Sequence, residues 1–197
     1  MKYILGLTGQ TGSGKSTLHS AAEEKGFYVV DCDKVAHKVT RENERLKVAL
    51  CAAFSDGILT DGNIDRKKLA NAAFKSEENT KLLNETVLPF ISEAIMSIIE
   101  KAPSEYIMLD APTLYESGID KKCNFVVALL ANEQIRKERI IKRDNISEQS
   151  ALLRLSAAKD DGFYISRADE IIYNNGSIEE YSKQFLNLLN KLLEEIK

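Results

Sequence analysis

The sequence has no tryptophan and contains only three cysteines and two histidines among its 197 residues. Cys32, Cys51 and Cys123 lie far apart, and none belongs to a Cys-x-x-Cys pair. This scarcity argues against a disulfide scaffold and against a structural zinc site, so we expect buried, unreactive thiols. His19 and His37 are predicted to be ordinary helix residues without a catalytic role.

A strong excess of one charge is also missing, as is any long hydrophobic run. The chain has 27 basic and 30 acidic residues, a net charge of -3 and a pI near 5.6, which argues against a nucleic-acid-binding surface over the whole domain. Uncharged stretches such as 125–132 are far shorter than a membrane span, and residues 1–3 lead into a strand-like segment without a secretory signal. We expect a cytoplasmic protein that binds neither nucleic acid nor membranes. The oligomeric state stays open, and a monomer is compatible with the sequence.

Short apolar runs rich in strand-forming residues alternate with helical stretches along the chain. The runs are 2–7, 27–30, 106–109, 125–130 and 170–173. Continuous apolar strands separated by helices indicate an α/β fold, with a parallel sheet covered by helices on both faces. A C-terminal amphipathic helix is predicted from apolar residues spaced three or four apart. They are Ile178, Tyr181, Phe185, Leu188, Leu192 and Ile196.

About seventy residues between the second and third predicted strands, 34–105, show helical patterns and no strong strand signal. We interpret this stretch as a helical insertion in one compact domain. Pro89 is expected near the start of a long helix that runs toward Lys101, because proline is tolerated in a first turn and disruptive further in.

The stretch from Gly9 to Ser16 matches G-x-x-x-x-G-K-[ST] in full and lies between a predicted strand and a predicted helix. Its glycines let backbone N–H groups turn toward phosphate oxygens at a helix N-terminus. Lys15 is expected to bridge the β- and γ-phosphates of ATP, and Ser16 to ligate Mg²⁺. The alternative is a glycine-rich turn without a nucleotide. The predicted nucleotide-binding residues here are Gly12, Ser13, Gly14, Lys15, Ser16 and Thr17.

Asp31 and Asp33 follow the second predicted strand and flank Cys32. The carboxyl end of that strand is expected to face the same crevice as the phosphate loop. A carboxylate there can accept a proton from an attacking hydroxyl or help to hold the metal. A lone aspartate after a strand often caps the next helix, so for Asp33 both interpretations stay open, although the acidic pair favours chemistry.

The third predicted strand ends in Asp110, which is typical of a Walker B segment whose carboxylate reaches the Mg²⁺ shell through water. Glu116, six residues further on, either lines the same cleft or caps a turn, and local sequence does not choose between these. Together with the phosphate loop, Asp110 is the second predicted metal residue beside Ser16.

Arg136, Arg139 and Arg143 recur at intervals of three and four in a predicted helix after the fourth strand, so they share one face. Phosphoryl transfer uses arginines over the equatorial oxygens, and a short lid helix would deliver them. The alternative is a solvated basic face beside Lys137 and Lys142. Arg139 and Arg143 are the predicted site residues.

These features together resemble the dephospho-CoA kinase family over nearly the whole chain. The segment 6–17 resembles its nucleotide loop and 30–36 its acidic substrate motif. The segments 62–69, 109–118 and 168–176 are similar to its G-x-ℓ-D-R-x-x-L, D-x-P-L-L-F-E-S-G and A-D-x-V-I-x-N-x-G stretches, and Arg139 with Arg143 fits its lid helix.

The resemblance implies a P-loop NTPase fold with a five-stranded parallel core (1–33 and 104–197), a helical CoA-binding insert (about 34–103) and a lid (about 136–166). It also implies a function, the transfer of the ATP γ-phosphate to the 3′-hydroxyl of dephospho-CoA. The implied catalytic residues are Asp33, Lys15 and Arg139. The implied ATP-binding residues beyond the loop are Arg143 and Asn175, and the implied substrate-binding residues are Asp31, Asp33, Arg66, Pro112 and Glu116.

The sequence departs from the family pattern at several positions. Leu88 replaces a usual histidine, Ala158 a usual glutamine, and Gln10 with Thr11 a usual Gly-Ile, while the segment 159–163 lacks the usual lid pattern. Two alternatives stay open. One is a nucleoside or nucleotide kinase, and the other is a nucleotide-binding regulatory protein with impaired catalysis.

Overall fold

The computed structural model describes residues 2–196 and has an α/β fold. The strands are β1 (Tyr3–Gly9), β2 (Tyr28–Asp31), β3 (Leu59–Thr60), β4 (Asn63–Ile64), β5 (Tyr106–Asp110), β6 (Phe125–Leu130) and β7 (Glu170–Tyr173). The helices are α1 (His19–Glu24), α2 (Cys32–Glu42), α3 (Glu44–Phe54), α4 (Arg66–Ala73), α5 (Glu77–Lys101), α6 (Glu133–Asp144), α7 (Glu148–Ser156), α8 (Asp161–Ile165) and α9 (Ile178–Glu195). Short 3₁₀ helices span Lys15–Leu18, Asp56–Ile58 and Ile119–Lys122.

The main sheet has five strands in the order β2-β5-β1-β6-β7, and all five predicted strands are confirmed. Strand β1 pairs in parallel with both β5 and β6, and β6 pairs in parallel with β7. The parallel strands are joined by crossover connections, of which the one from β6 to β7 contains α6, α7 and α8. This topology brings the carboxyl ends of the strands to one edge.

Side chains along β6 point alternately to the two faces of the sheet, and each face has its own apolar cluster. Val127 and Leu129 pack into the main apolar cluster with Phe185 of α9. Ala128 and Leu130 point into a second cluster that contains the buried Tyr164 of α8. Helices therefore cover both faces, as the continuous apolar strands predict.

The predicted C-terminal helix is confirmed as α9, although its buried residues differ in part from the predicted ones. Tyr181, Phe185, Leu189 and Leu192 are buried, whereas Ile178 at the first turn is 57% exposed. Ser177 begins the helix with a capping box, in which its side chain accepts from the Glu180 N–H.

The chain divides into two compact units. One contains the residues up to Val30 and from Ala102 onward, and the other is Asp31–Lys101. The second unit has its own core around Leu46, Leu50 and Ile58, against which side chains of α5 such as Phe90 pack.

Strands β3 and β4 form an antiparallel hairpin that the sequence reading missed. Its two-residue turn, Asp61-Gly62, has positive φ at both positions, 50° and 76°. An Asp-Gly pair between strand-forming residues is a known hairpin signal, so the information was present in the sequence. The two strands are only two residues long, which is why no strand pattern stands out.

The prediction for Pro89 was wrong. Helix α5 begins at Glu77, so Pro89 lies in its interior. Proline removes the hydrogen bond that the carbonyl of Glu85 would accept. Both residues are exposed, so water can replace that bond and the helix continues.

Helix α5 is also long and apolar enough to cross a membrane by length and composition alone, with a mean hydropathy of 1.4 in its best window. Core helices of soluble proteins satisfy the same criterion. In this chain Leu83, Val87 and Ile91 of the helix pack against the core of their own unit.

Candidate active site

The loop after β1 is folded as a phosphate loop. The Ser13 N–H donates to the Gln10 carbonyl (3.1 Å), and the Thr17 N–H donates to the Gly14 carbonyl (3.2 Å). The loop ends in the 3₁₀ turn Lys15–Leu18, which continues directly into α1. Lys15 donates from Nζ to the carbonyls of Gly9 (2.9 Å) and Gln10 (3.4 Å), so its ammonium group lies over the loop.

Two glycines of the loop are required by close packing. A Cβ on Gly9 would lie 2.1 Å from the carbonyl oxygen of Leu129, and φ there is 135°. A Cβ on Gly14 would lie 2.6 Å from Nδ2 of Asn174, with φ at 97°. No other residue type fits these positions without moving backbone or a buried side chain.

Strand pairing brings Asp110 beside the loop. In the β1–β5 register Asp110 is the partner of Leu7, two residues before Gly9. Its Oδ2 lies 2.7 Å from Nε2 of His19, whereas its buried Oδ1 has no hydrogen-bond partner among the described residues. The structure thus gives His19 a contact that the sequence reading did not foresee.

Arg139 reaches the phosphate loop from α6. Its Nη1 donates to the Ser13 carbonyl (3.3 Å) and its Nη2 to Oδ1 of Asn174 (3.0 Å). Asn174 is buried and donates from Nδ2 to the same Ser13 carbonyl (2.7 Å). The side-chain amide of Asn174 therefore holds both the loop and the guanidinium group.

The three predicted arginines have different surroundings. Arg136 is 5% exposed and donates from Nε to the Ala131 carbonyl (3.0 Å), so it supports the start of α6. Arg143 donates from Nε (2.7 Å) and Nη2 (2.9 Å) to the carboxylate of Asp144. These hydrogen bonds raise the pKa of Arg143 and lower that of Asp144. Of the three, Arg139 is the one whose guanidinium group donates a hydrogen bond to the phosphate loop in the described residues.

Asn175 and Asn174 are neighbours with different contacts. Oδ1 of Asn175 accepts a hydrogen bond from the Asn132 N–H (2.7 Å), which links the β7–α9 loop to the N-cap of α6. The loop contact comes from Asn174, which the sequence reading missed. A signal existed, because Asn174 occupies the asparagine position in the A-D-x-V-I-x-N-x-G stretch.

Asp31 and Asp33 lie at the start of α2. Asp31 is the N-cap, since its Oδ1 accepts from the Lys34 N–H (2.9 Å). The capping role that the sequence left open for Asp33 thus belongs to Asp31. Asp33 is exposed in the first turn of the helix, where a carboxylate is stabilised by the helix dipole.

Arg66 is the first residue of α4 and is exposed. Its guanidinium group contacts Nε2 of His37 on α2. The preceding residue, Asp65, caps α4 by accepting from the Lys67 and Lys68 N–H groups (2.9 and 3.1 Å). These backbone hydrogen bonds, with one from the Thr60 hydroxyl, lower the pKa of Asp65.

Pro112 and Glu116 follow β5. The carbonyl of Pro112 accepts from the Thr8 hydroxyl (3.3 Å), which ties this segment to β1. Glu116 is exposed and lines a cavity of about 480 Å³ together with Tyr115 and Arg167. Burial raises the pKa of Tyr115 to about 12, with a further contribution from the charge of Asp120.

The donor groups near the loop fit a hydrated Mg²⁺ ion better than a metal held by protein ligands alone. Within residues 2–196 no group of three His, Cys, Asp or Glu side chains could hold a metal. The buried, unpartnered Oδ1 of Asp110 is an acceptor of the kind that a hydrated cation satisfies. Mg²⁺ is usually bound by one or two protein oxygens together with phosphates and water, which Asp110 and the exposed Ser16 can provide.

The sequence matches the family model for dephospho-CoA kinase over residues 3–180. It is 35% identical over 182 residues to a dephospho-CoA kinase of Fusobacterium nucleatum, covering 92% of this chain and 94% of that protein. It is also 35% identical over 195 residues to one of Geobacillus kaustophilus, covering 97% of both chains.

Two solved structures have a fold similar to that of this chain. A crystal structure from Thermus thermophilus superimposes with a TM-score of 0.82 at 27% identity, covering 97% of this chain and 98% of that one. A dephospho-CoA kinase from Campylobacter jejuni superimposes with a TM-score of 0.57 at 26% identity, covering 100% of this chain and 98% of that one.

Proposed function

The chain belongs to the dephospho-CoA kinase family, and we propose that the phosphate loop, Arg139 and Asp33 carry its reaction. In this reaction the γ-phosphate of ATP is transferred to the 3′-hydroxyl of dephospho-CoA, which gives CoA and ADP. The contact of Arg139 with the carbonyl of Ser13 carries the proposal for the donor side, because it brings a cationic side chain to the phosphate loop.

On the donor side, the backbone amides from Gly12 to Thr17 bind the phosphates of ATP. The support for this is the sequence match together with the turn from the loop into the 3₁₀ helix, whose N-terminus carries partial positive charge. Lys15 bridges the β- and γ-phosphates, and Arg139 stabilises the charge that develops on the γ-phosphoryl oxygens. Both side chains donate hydrogen bonds to carbonyls of the loop, so both can reach phosphates that bind there.

Arg143 and Asn175 bind the nucleoside end of ATP. This assignment rests on the family resemblance and on their positions in α6 and in the β7–α9 loop. Asn175 anchors that loop to the N-cap of α6, so it also fixes one wall of the region that the adenine occupies. Arg143 is 61% exposed at its side chain, which leaves its planar group available for stacking.

On the acceptor side, Asp33 is the general base, and Asp31, Arg66, Pro112 and Glu116 bind dephospho-CoA. Asp33 takes the proton of the 3′-hydroxyl, the hydroxyl oxygen forms a bond to the γ-phosphorus, and the bond to the bridging oxygen of ADP breaks. The support is the acidic motif itself and the exposed position of the Asp33 carboxylate.

Ser16 and Asp110 would hold Mg²⁺, the first through its hydroxyl and the second through water. When bound, the ion neutralises negative charge on the β- and γ-phosphates. Within the protein, the hydrogen bond from His19 orients the Asp110 carboxylate so that Oδ1 stays unpartnered.

The test is a turnover assay with defined acceptors. Purified protein is incubated with ATP, Mg²⁺ and dephospho-CoA, and ADP release is followed beside a panel of nucleosides and nucleoside monophosphates. Lys15→Met serves as the blank, since it removes the proposed phosphate bridge and reports contaminating ATPase. We expect ADP formation with dephospho-CoA and a product phosphorylated at the 3′ position. ADP formation with the nucleosides alone would contradict the proposal.

A further inference from the structure

The side chain of Gln10 connects the phosphate loop to the lid region. Gln10 is 1% exposed, and its Nε2 donates to Oδ1 of Asp161 (2.7 Å) and to the carbonyl of Lys159 (3.3 Å). Both acceptors lie where α7 passes into α8. Residues 157–160 connect these two helices. Two hydrogen bonds from one buried amide therefore hold this connection and the first turn of α8 to the phosphate loop.

The orientation of this amide is fixed by its partners. If the side chain were flipped, Oε1 would face a carboxylate and a carbonyl, which are both acceptors. In the observed orientation Oε1 of Gln10 is buried without a hydrogen-bond partner among the described residues. Leaving a buried acceptor unpaired has a free-energy cost, so the two donor contacts must outweigh it.

The same residue also shapes the phosphate loop. The backbone carbonyl of Gln10 accepts from the Ser13 N–H (3.1 Å) and from Nζ of Lys15 (3.4 Å). The residue that contacts Asp161 is therefore itself part of the phosphate loop.

Helix α8 is anchored to the sheet on its other side. Tyr164 is 4% exposed and packs against Ala128 and Leu130 of β6. The Phe163 ring has the guanidinium group of Arg167 at 4.3 Å from its centroid, an arrangement that cation–π attraction favours. Tyr164 anchors the later part of α8, so the parts that Gln10 holds to the loop are the connection ahead of the helix and its first residue, Asp161.

We propose that Gln10 is a positioning residue that locks the α7–α8 connection onto the phosphate loop and so slows the dissociation of bound ATP. The proposal rests on the nucleotide-binding role proposed for that loop. Gln10 and the segment 159–163 are two of the places where the sequence departs from the family pattern. The contact between them therefore connects two segments that both differ from that pattern. The Gln10 side chain acts on ATP retention through the α7–α8 connection and not through the reacting atoms.

Hydrogen–deuterium exchange of the protein without nucleotide tests the lock directly. In Gln10→Ala and in Asp161→Ala, exchange of the amides in a peptide covering 157–163 should rise at least about ten-fold, the lower end for a hydrogen bond to a charged acceptor. The double variant should exchange no faster than Gln10→Ala, because Gln10→Ala already removes the contact with Asp161 together with the one to the Lys159 carbonyl. Unchanged exchange in the single variants, or effects that multiply in the double variant, would overturn the lock.

Two further variants control for unfolding at a buried position. Asp160→Ala removes the N-cap of α8, where Asp160 accepts from the Phe163 N–H (2.8 Å), without touching Gln10. Its effect should therefore multiply with that of Gln10→Ala. Gln10→Glu keeps the volume but sets a carboxylate against Asp161, and adding Asp161→Asn restores a donor–acceptor pair. Exchange should be fastest in Gln10→Glu and recover in the swapped pair, and failure to recover would count against the contact.

The proposed effect on ATP retention is measured as the dissociation rate of a fluorescent ATP analogue in a stopped-flow experiment. Asp161→Ala, a change outside the phosphate loop, should raise the dissociation rate about ten-fold while the single-turnover rate of phosphoryl transfer stays within about two-fold. Gln10→Ala should raise the dissociation rate by at least as much. A dissociation rate equal to that of the unmodified protein would refute the role in ATP retention. If the unmodified protein bound ATP but did not phosphorylate dephospho-CoA, the proposed function would fail while the exchange result still stood.

Discussion

The imidazole of His19 and the carboxylate of Asp110 form a hydrogen bond of 2.7 Å between Nε2 and Oδ2. Asp110 is 8% exposed, and its second oxygen has no partner among the described residues. The histidine is therefore the main support of a buried carboxylate at the end of β5. It comes from α1, the helix that follows the phosphate loop, so the loop and the strand end are held together by this pair.

Replacing this histidine should destabilise the fold. His19→Leu is expected to lower the free energy of unfolding by about 1–3 kcal/mol, the cost of leaving a buried acceptor unsatisfied. Urea unfolding without Mg²⁺ measures the effect. His19→Gln, which keeps a donor, is the control and should be closer to the unmodified protein. Equal stabilities of the leucine and glutamine variants would show that the hydrogen bond contributes nothing.

Asp33→Asn should separate chemistry from ATP binding. Loss of the general base should lower kcat at least about 10²-fold, while the Kd for ATP stays unchanged. Asp31→Asn is the matched control, because asparagine caps a helix as well as aspartate does and the start of α2 is preserved. It should raise the KM for dephospho-CoA with a smaller loss of kcat. A near-normal kcat in Asp33→Asn would refute the assignment of the base.

The neighbouring asparagines should differ in their effects. Asn174→Ala removes the amide that bonds both the Ser13 carbonyl and Arg139, so kcat should fall about ten-fold, as for loss of a charge-assisted hydrogen bond. Asn175→Ala should raise the KM for ATP and leave kcat almost unchanged. Steady-state kinetics at saturating dephospho-CoA compare the two. The opposite pattern would mean that Asn175, and not Asn174, supports the transfer step.

Cys123 should react slowly with thiol reagents in the folded protein. Burial, with smaller contributions from the charges of Asp120 and Asp169, raises the pKa of Cys123 to about 12 from an ordinary value of 9.0. Because the thiolate is the reactive form, labelling by iodoacetamide at pH 8 should be about 10³-fold slower than in the urea-unfolded chain. Mass spectrometry of the Cys123 peptide gives both rates. Similar rates in the two states would contradict the raised pKa of the Cys123 thiol.

Acid should weaken the helical unit through Asp65. Its pKa is lowered in the folded state, so the ionised cap contributes stability above the ordinary value of 3.8, and this contribution is lost as the pH falls below that value. The protection factors of the α4 amides, which correct the measured hydrogen exchange for its intrinsic pH dependence, should therefore fall as the pH drops below about 4 in the unmodified protein. Asp65→Ala should show low protection factors throughout this range and a flatter pH dependence. An identical pH dependence in both proteins would exclude Asp65 as the cause.

Much of the fold was predictable because its signals are local. The five apolar runs are strands of one sheet, and the periodic stripe from residue 178 is a helix. The hairpin at Asp61-Gly62 escaped notice because its strands are two residues long, although its turn residues are informative. The prediction for Pro89 failed because exposure, which is a tertiary property, decides whether water can replace a lost helix hydrogen bond.

The sequence by itself determined the phosphate loop from Gly9 to Ser16 and the strand that ends in Asp110, because both are defined by residues close together in the chain. Only the tertiary structure decided which distant side chains meet them. His19 contacts Asp110, Asn174 holds Arg139 on the loop, and Gln10 reaches Asp161 across 151 positions of sequence. Such contacts depend on strand order and helix packing, and a single residue such as a histidine or glutamine carries no local pattern that reveals its partner.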